Sequence, residues 1–273
     1  MIRKFIVFAL LALSLSCNNN SGNINTDSGS DNSNAPTVLN YTVVNAYPHD
    51  TTSYTEGFLV HDGQLFESTG SPNDMSSTRS LFGVVDLKTG KINVKAELDK
   101  KKYFGEGIVF LNGKVYQLTW QTKVGFIYDA KTFKKIGEFT FPSAEGWGMT
   151  TDGTSLIMGD GTSNIYYLDP NNFKLLKIVG VTDNNGPLAN INELEYINGF
   201  IYANVYQTNY IVKIDPVSGK VLARADLSSL QKEAKLKYPD IDYLNGIAYD
   251  SASKKIYVTG KLWPNIYEIK FNN

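Results

Sequence analysis

Five short segments of this chain carry the residues able to do chemistry. They read Tyr54-Thr55-Glu56-Gly57-Phe58, Phe104-Gly105-Glu106-Gly107-Ile108, Glu145-Gly146-Trp147-Gly148-Met149, Asn192-Glu193-Leu194-Glu195-Tyr196 and Leu244-Asn245-Gly246-Ile247. Carboxyl groups held in a pocket serve as general acids or bases. The large aromatics Phe104, Trp120, Trp147 and Tyr206 fall in these segments or shortly after them, and Lys261 follows the last. Aromatics gathered with a few carboxylates, one amide and one lysine make a pocket for a small polar group on an apolar stem. A plainer reading of the same residues stays open. Repeated glycines and carboxylates also fix tight turns, and Trp120 and Trp147 also fit ordinary packing.

Metal chemistry finds little support. The two histidines, His49 and His61, fall in early turns and form no ligand pair. Neither a zinc site nor a nucleophilic triad can be assembled around them, and there is no phosphate-binding loop. Pocket chemistry of this kind requires no cofactor. A structural calcium held by oxygens in a central channel is compatible with the sequence.

The elements that must position these segments recur along the chain. After each segment comes an apolar strand, a tight turn and a second strand. The turns are His61-Asp62-Gly63, Leu111-Asn112-Gly113, Thr151-Asp152-Gly153 and Ile197-Asn198-Gly199, with the longer Asp250-Ser251-Ala252-Ser253 in the fifth copy. Asp-Gly and Asn-Gly are strong hairpin signals, because both residues tolerate the positive φ of a type I′ turn. A third strand then ends at an Asp-led turn, at Asp86, Asp129, Asp169 and Asp215. The Asp side chain caps its own turn there. A fourth strand follows. Four strands per copy at a blade-sized period predict an all-β, five-bladed propeller with four-stranded antiparallel blades. The fifth copy stops short of its fourth strand. Tyr41 to Tyr47 alternates as a strand should, so an N-terminal strand is expected to close the last blade and remove the exposed edge. The competing reading is a β-sandwich with coincidental spacing. In a propeller the first strand of each blade lines the channel, so the five polar segments should ring one mouth.

The first residues read differently. Arg3 and Lys4 precede an apolar run from Phe5 to Leu15, too short to span a bilayer and suited to a signal peptide over residues 1–16. It ends at Leu13-Ser14-Leu15-Ser16-Cys17, a lipobox-like pattern with Ser where Leu is usual. Cys17 is the only cysteine, so no intrachain disulfide can form, and lipidation would account for an exported thiol. Residues 17–36, rich in Asn, Ser, Gly, Asp and Thr, read as a flexible tether, leaving 37–273 as the folded domain. The expected location is extracytoplasmic, anchored by lipid to a bacterial membrane on its periplasmic or cell-surface face. A net charge of −1 gives no field for nucleic acid. Seventeen Tyr and 14 Phe favour strands over helices.

Phe104-Gly105-Glu106-Gly107, Leu118-Thr119-Trp120-Gln121, Glu145-Gly146-Trp147-Gly148 and Asn192-Glu193-Leu194-Glu195-Tyr196 occur in this order, followed by Thr259-Gly260-Lys261-Leu262-Trp263-Pro264. From about Tyr41 to Ile269 the chain resembles the plant-type glutaminyl-peptide cyclotransferases, which bacteria also possess. The resemblance implies a five-bladed propeller that converts the N-terminal glutamine of peptides and proteins to pyroglutamate and releases ammonia. It implies a pocket of Tyr54, Glu56, Phe104, Glu106, Trp120, Trp147, Asn192, Tyr206 and Lys261. Two positions depart from the family: Glu56 stands where Gln is usual, and Tyr206 where Trp is frequent. The first adds a carboxylate and bears on substrate preference and on the pKa of Glu106.

For that reaction Glu106 is the expected proton shuttle, with Asn192 and Lys261 as donors to the oxyanion. Tyr54, Glu56, Phe104, Trp120, Trp147 and Tyr206 are expected to hold the substrate. The expected partners are peptides beginning with Gln, and the expected state is a monomer. Two other readings remain: a non-catalytic propeller that captures peptides or sugars, favoured by Glu56, and a calcium-dependent propeller lactonase, for which no clear ligand set is visible.

Overall fold

The computed structural model describes residues 35–272. The expected signal segment, Cys17 and residues 18–34 of the tether lie outside the described residues. The rest forms the five-bladed propeller that the repeats predict, and the sandwich reading is discarded. Blade 1 comprises strands Tyr54–His61, Gln64–Gly70, Leu81–Val85 and Ile92–Glu97; blade 2 comprises Gly105–Leu111, Lys114–Thr119, Val124–Asp129 and Lys135–Thr140. Blade 3 runs through Met149–Thr151, Leu156–Gly159, Asn164–Leu168 and Leu175–Gly180, and blade 4 through Ile191–Ile197, Phe200–Val205, Tyr210–Ile214 and Val221–Asp226. Blade 5 holds Leu244–Asp250, Lys255–Gly260 and Asn265–Phe271. Tyr41–Pro48 pairs antiparallel with Asn265–Phe271 and completes it, as the missing fourth strand requires.

Local chemistry accounts for most of the joints. Asp62-Gly63, Asn112-Gly113 and Asn198-Gly199 all have positive φ at both residues, as type I′ turns demand. The third copy differs from the expected pattern. Only Gly153 is left-handed there, and Asp152 instead accepts the Thr154 and Ser155 amides, at 2.8 and 2.7 Å, to make a longer turn. The Asp-led turns behave as read: Asp215 accepts the Val217 and Ser218 amides, each at 2.8 Å. Composition gave no warning of the helix Ser228–Lys237. It has no side-chain N-cap and buries only Leu230 and Ala234, so its periodic signal is weak. A further two-residue strand, Thr37–Val38, adds in parallel to the outer edge of blade 4.

Apolar faces meet in the seams between blades. One cluster joins blades 1 and 2 through Phe66, Phe82, Ile108 and Phe126, and equivalent clusters fill the other seams. Burial therefore favours stacking of adjacent blades at roughly 25 cal/mol per Å² of apolar surface. Outer strands such as Leu175–Gly180 remain largely exposed. Inner strands such as Gly105–Leu111 are buried throughout.

Where the inner strands converge, four of the five slip register by one residue. The slips fall at Thr55/Gly57, Gly105/Ile108, Ile191/Leu194 and Leu244/Ile247. Such bulges bend a strand and re-aim its side chains. They present Glu56-Gly57, Glu106-Gly107, Asn192-Glu193 and Asn245-Gly246 at equivalent positions, with Trp147-Gly148 the counterpart in blade 3. The glycines allow close approach: a Cβ on Gly107 would lie 2.4 Å from the Met149 nitrogen, and one on Gly148 would lie 2.1 Å from the Asn192 oxygen.

Blade 4 breaks this rule, with Glu193 in place of glycine. Its carboxylate crosses the channel and accepts the Phe58 amide of blade 1 at 3.2 Å and the Ile247 amide of blade 5 at 2.8 Å. Glu193 thus ties together blades that its own strand does not pair with. Removing it leaves two buried N–H groups without an acceptor, at about 1–3 kcal/mol each. Glu193→Ala is expected to lower Tm by about 5–15 °C. Thermal unfolding followed by circular dichroism checks this, and an unchanged Tm would remove Glu193 from the role.

Candidate active site

A cavity of about 450 Å³ opens at the axial mouth, and all nine residues that the sequence singled out for a pocket line it. Glu56, Glu106 and Asn192 come from the bulges of blades 1, 2 and 4, and Trp147 from the head of blade 3. Trp120, Tyr206 and Lys261 share another structural position, just past the second strand of blades 2, 4 and 5. Their backbone amides donate to Phe104, Asn190 and Tyr243 respectively. The equivalent residue of blade 1 is Gly70, and its lack of a side chain makes room for Phe104, whose ring would lie 2.0 Å from a Cβ there. Phe104 in turn stands edge-on to Tyr54 and Trp120, with centroids 6.0 and 5.8 Å away. Trp147 meets Tyr206 edge-on at 5.5 Å.

Two carboxylates sit on the floor in different environments. Glu56 is ion-paired with Lys261 and accepts Asn245 Nδ2 at 3.1 Å. The Lys261 ammonium also lies 4.5 Å from the centroid of the Tyr54 ring and 5.5 Å from that of Tyr206, so it is caged by aromatic faces. Burial pushes Glu56 up to about 7 against the opposing pull of Lys261. Glu106 has no such partner, and its Oε2 is buried without a hydrogen bond. Burial raises it well above the ordinary range, the neighbouring charge of Glu56 adds to this, and Lys261 offsets only part. Burial thus favours the protonated form of Glu106, whereas Glu56 stands beside a cation. Asn192 Oδ1 is likewise buried without a partner.

Two residues outside the expected set hold the pocket in shape. Glu145 accepts the indole N–H of Trp120 and that of Trp147 on one oxygen, each at 2.8 Å, and Gln121 Nε2 on the other at 3.0 Å. Its burial raises the carboxyl, but the three donors outweigh that and hold it below the usual range. Its place two residues before Trp147 was the available signal. Asp242 accepts the Tyr54 hydroxyl at 2.8 Å, and no local pattern marks it. The backbone carries strain beside the site, since Leu262 is left-handed with φ 62°, a region bulky residues avoid. Its amide donates to the Ser53 carbonyl at 2.8 Å, which anchors the loop bearing Lys261 to blade 1.

Neither histidine reaches the pocket. His49 is buried, with Nε2 3.0 Å from Glu67 and Nδ1 2.8 Å from the Trp263 carbonyl oxygen. His61 ends the first strand of blade 1 and stacks on Phe110 at 4.0 Å. Among the described residues no group of three or more His, Cys, Asp or Glu is arranged to hold a metal ion.

A propeller whose axial mouth joins an unpaired buried acid, an enclosed ion pair and a wall of aromatics defines a class of proteins acting on one small polar group. Comparison with known proteins sharpens this. The glutamine cyclotransferase family model matches residues 9–271. A glutaminyl-peptide cyclotransferase of Arabidopsis thaliana is 41% identical over 230 residues, covering 84% of this chain and 70% of the plant protein. The crystal structure of Myxococcus xanthus glutaminyl cyclase superposes with a TM-score of 0.78 at 30% identity, covering 87% of this chain and 98% of that one. The chain belongs to the glutamine cyclotransferase family.

The buried pair makes its own prediction. Removing one partner of such a pair costs about 3–5 kcal/mol, much of it the charge left behind. Lys261→Met should therefore destabilise strongly, and the double variant Glu56→Gln/Lys261→Met should recover most of the loss. Without Lys261, the Glu56 carboxyl is held neutral while its unfolded counterpart ionises. The penalty should then grow as the pH rises above the unfolded value of about 4.3. Urea unfolding of the three proteins at several pH values tests this, and a double variant no more stable than Lys261→Met would refute it.

Proposed function

We propose that this protein cyclises the N-terminal glutamine of peptides and proteins, with Glu106 as the group that moves the protons. The observation that carries the reading is Glu106, which lines a cavity walled by aromatics and whose buried Oε2 has no hydrogen-bond partner. Family membership supports the reaction class.

The α-amine of the substrate, in its neutral form, attacks the side-chain carboxamide carbon. A C–N bond forms, the carbonyl oxygen becomes an oxyanion, and the attacking nitrogen gains positive charge. The C–N bond to the amide nitrogen then breaks and ammonia leaves. The attacking nitrogen must lose a proton and the departing nitrogen must gain one. A neutral carboxyl can do both, giving its O–H proton to the leaving nitrogen while its other oxygen takes the proton of the amine. Glu106 ends as it began. A pKa raised by burial is what keeps that O–H in place at working pH.

Lys261 supplies the cation for the developing oxyanion; one N–H is committed to Glu56, and the ammonium has two more to donate. A preorganised donor of this kind contributes roughly 10²–10³ in rate. Asn192, which lines the same pocket, supplies a second donor to the oxyanion from its side-chain amide. Phe104, Trp120, Trp147, Tyr54 and Tyr206 enclose the aliphatic stem in its folded shape. Because the reaction is intramolecular, that positioning supplies much of the acceleration.

A Gln-initiated peptide incubated with the purified protein should lose one ammonia by mass spectrometry. A peptide that binds without conversion would favour a capture role instead. Glu106→Gln should fold normally and lose about 10²–10⁴ in kcat; unchanged turnover would remove Glu106 from the mechanism. Activity should rise as the substrate amine deprotonates, near its ordinary value of about 7.7–8.0. It should fall again at higher pH, as Glu106 finally ionises and loses the proton it must donate. No metal takes part in this scheme, so chelation by EDTA should leave turnover intact. Loss of activity on chelation would point to a calcium-dependent lactonase.

The basic and apolar leader ending at Cys17 supports an extracytoplasmic, lipid-anchored location. Cys17→Ala should move the protein from the membrane fraction to the soluble exported fraction and abolish incorporation of labelled palmitate. Retention in the membrane would overturn the anchor.

A further inference from the structure

We propose that a lysine rim on this pocket selects peptides with acidic residues directly after the N-terminal glutamine; the proposal rests on the cyclisation reading above. The cavity is not confined to the axis. From Glu106 and Asn192 it extends outward over the junction of blades 1 and 2, between Ser71-Pro72-Asn73 on one side and Lys100-Lys101-Lys102 on the other. A peptide with its first residue against Glu106 can leave over this outer part.

The charged side chains lining the outer part are all lysines, whereas the lining carboxylates, Glu56 and Glu106, are buried on the floor. Little cancels the rim charge. Lys100 Nζ donates to the Ser76 and Thr78 carbonyls, both at 3.3 Å, which fixes the side chain and leaves its charge intact. Lys102 reaches Asp99 only at 3.7 Å, with the two side chains 71% and 50% exposed. Among the described residues no carboxylate lies within ion-pair distance of the Lys101 ammonium. The chain as a whole carries −1, so the strip is not part of an overall positive charge. A carboxylate at the second or third position of a peptide would meet it; a lysine there would be repelled. Exposed contacts of this kind are worth about 1.4- to fivefold each and are screened by salt.

The test uses the full chain and three peptides that differ only after the first residue, beginning Gln-Glu-Glu, Gln-Ala-Ala and Gln-Lys-Lys. The expected order of kcat/KM is acidic, neutral, basic, with the acidic peptide about three- to tenfold ahead of the neutral one. The difference should reside in KM and shrink in about 0.5 M NaCl. In Lys101→Glu/Lys102→Glu the acidic-to-neutral ratio should fall below one. Equal kcat/KM for the three peptides, or a ratio unmoved by the double charge reversal, would overturn the rim inference and leave cyclisation standing. Turnover of none of them would overturn both.

Discussion

Closure of the ring is the constraint on which the rest depends. Pairing of Tyr41–Pro48 with Asn265–Phe271 joins the two ends of the folded chain and completes blade 5. Once the ring is closed, five inner strands must converge on one axis, and there is no room for ordinary ladders at that radius. The strands answer by bulging, and glycine takes most of the positions closest to a neighbouring backbone. A bulge leaves a residue unpaired and turns its side chain inward. The residues that crowd the axis are therefore the residues that face the pocket. Packing geometry and site geometry are consequences of one closure.

The same convergence takes charge out of water. Glu56, Glu106 and Glu193 are all nearly inaccessible, and each meets the cost of burial differently. Glu193 bonds two backbone amides and acts as a strut. Glu56 is paired with Lys261. Glu106 has neither arrangement, and burial raises its carboxyl well above the usual range, as it does that of Glu193. An unpaired buried carboxyl costs stability, and the stacked seams between blades supply the apolar burial that offsets it.

The scaffold was largely legible in the sequence because its signals are local. Asn112-Gly113 and Asp62-Gly63 encode their turns within two residues, and Asp215 caps its own turn. The missing fourth strand of the last copy pointed to Tyr41–Pro48 by simple counting. The pocket residues were legible as exceptions: Trp120, Tyr206 and Lys261 occupy one repeated position with three unlike side chains. Other features are visible only through long-range pairing. The pairing of Glu56 with Lys261 joins residues from blades 1 and 5, and Asp242 reaches Tyr54 across the same seam. No spacing rule connects them. The role of Glu145 was hidden for another reason. Its motif could be read, but a shared acceptor for two indoles appears only when blades 2 and 3 stand side by side.

Glu56 shows how one substitution in a repeated position can preserve a pocket while redistributing its charge. A carboxylate beside Lys261 neutralises the lysine and adds negative potential at Glu106. The two effects act on different steps. Neutralising the lysine weakens its pull on an oxyanion, and the added potential helps Glu106 keep the proton it must donate. An amide at position 56 would reverse both: a stronger electrophilic lysine, and a Glu106 more ready to ionise. Two carboxyl groups in one pocket therefore differ because only one is ion-paired with the lysine. That division separates the group that moves protons from the group that sets the field around it.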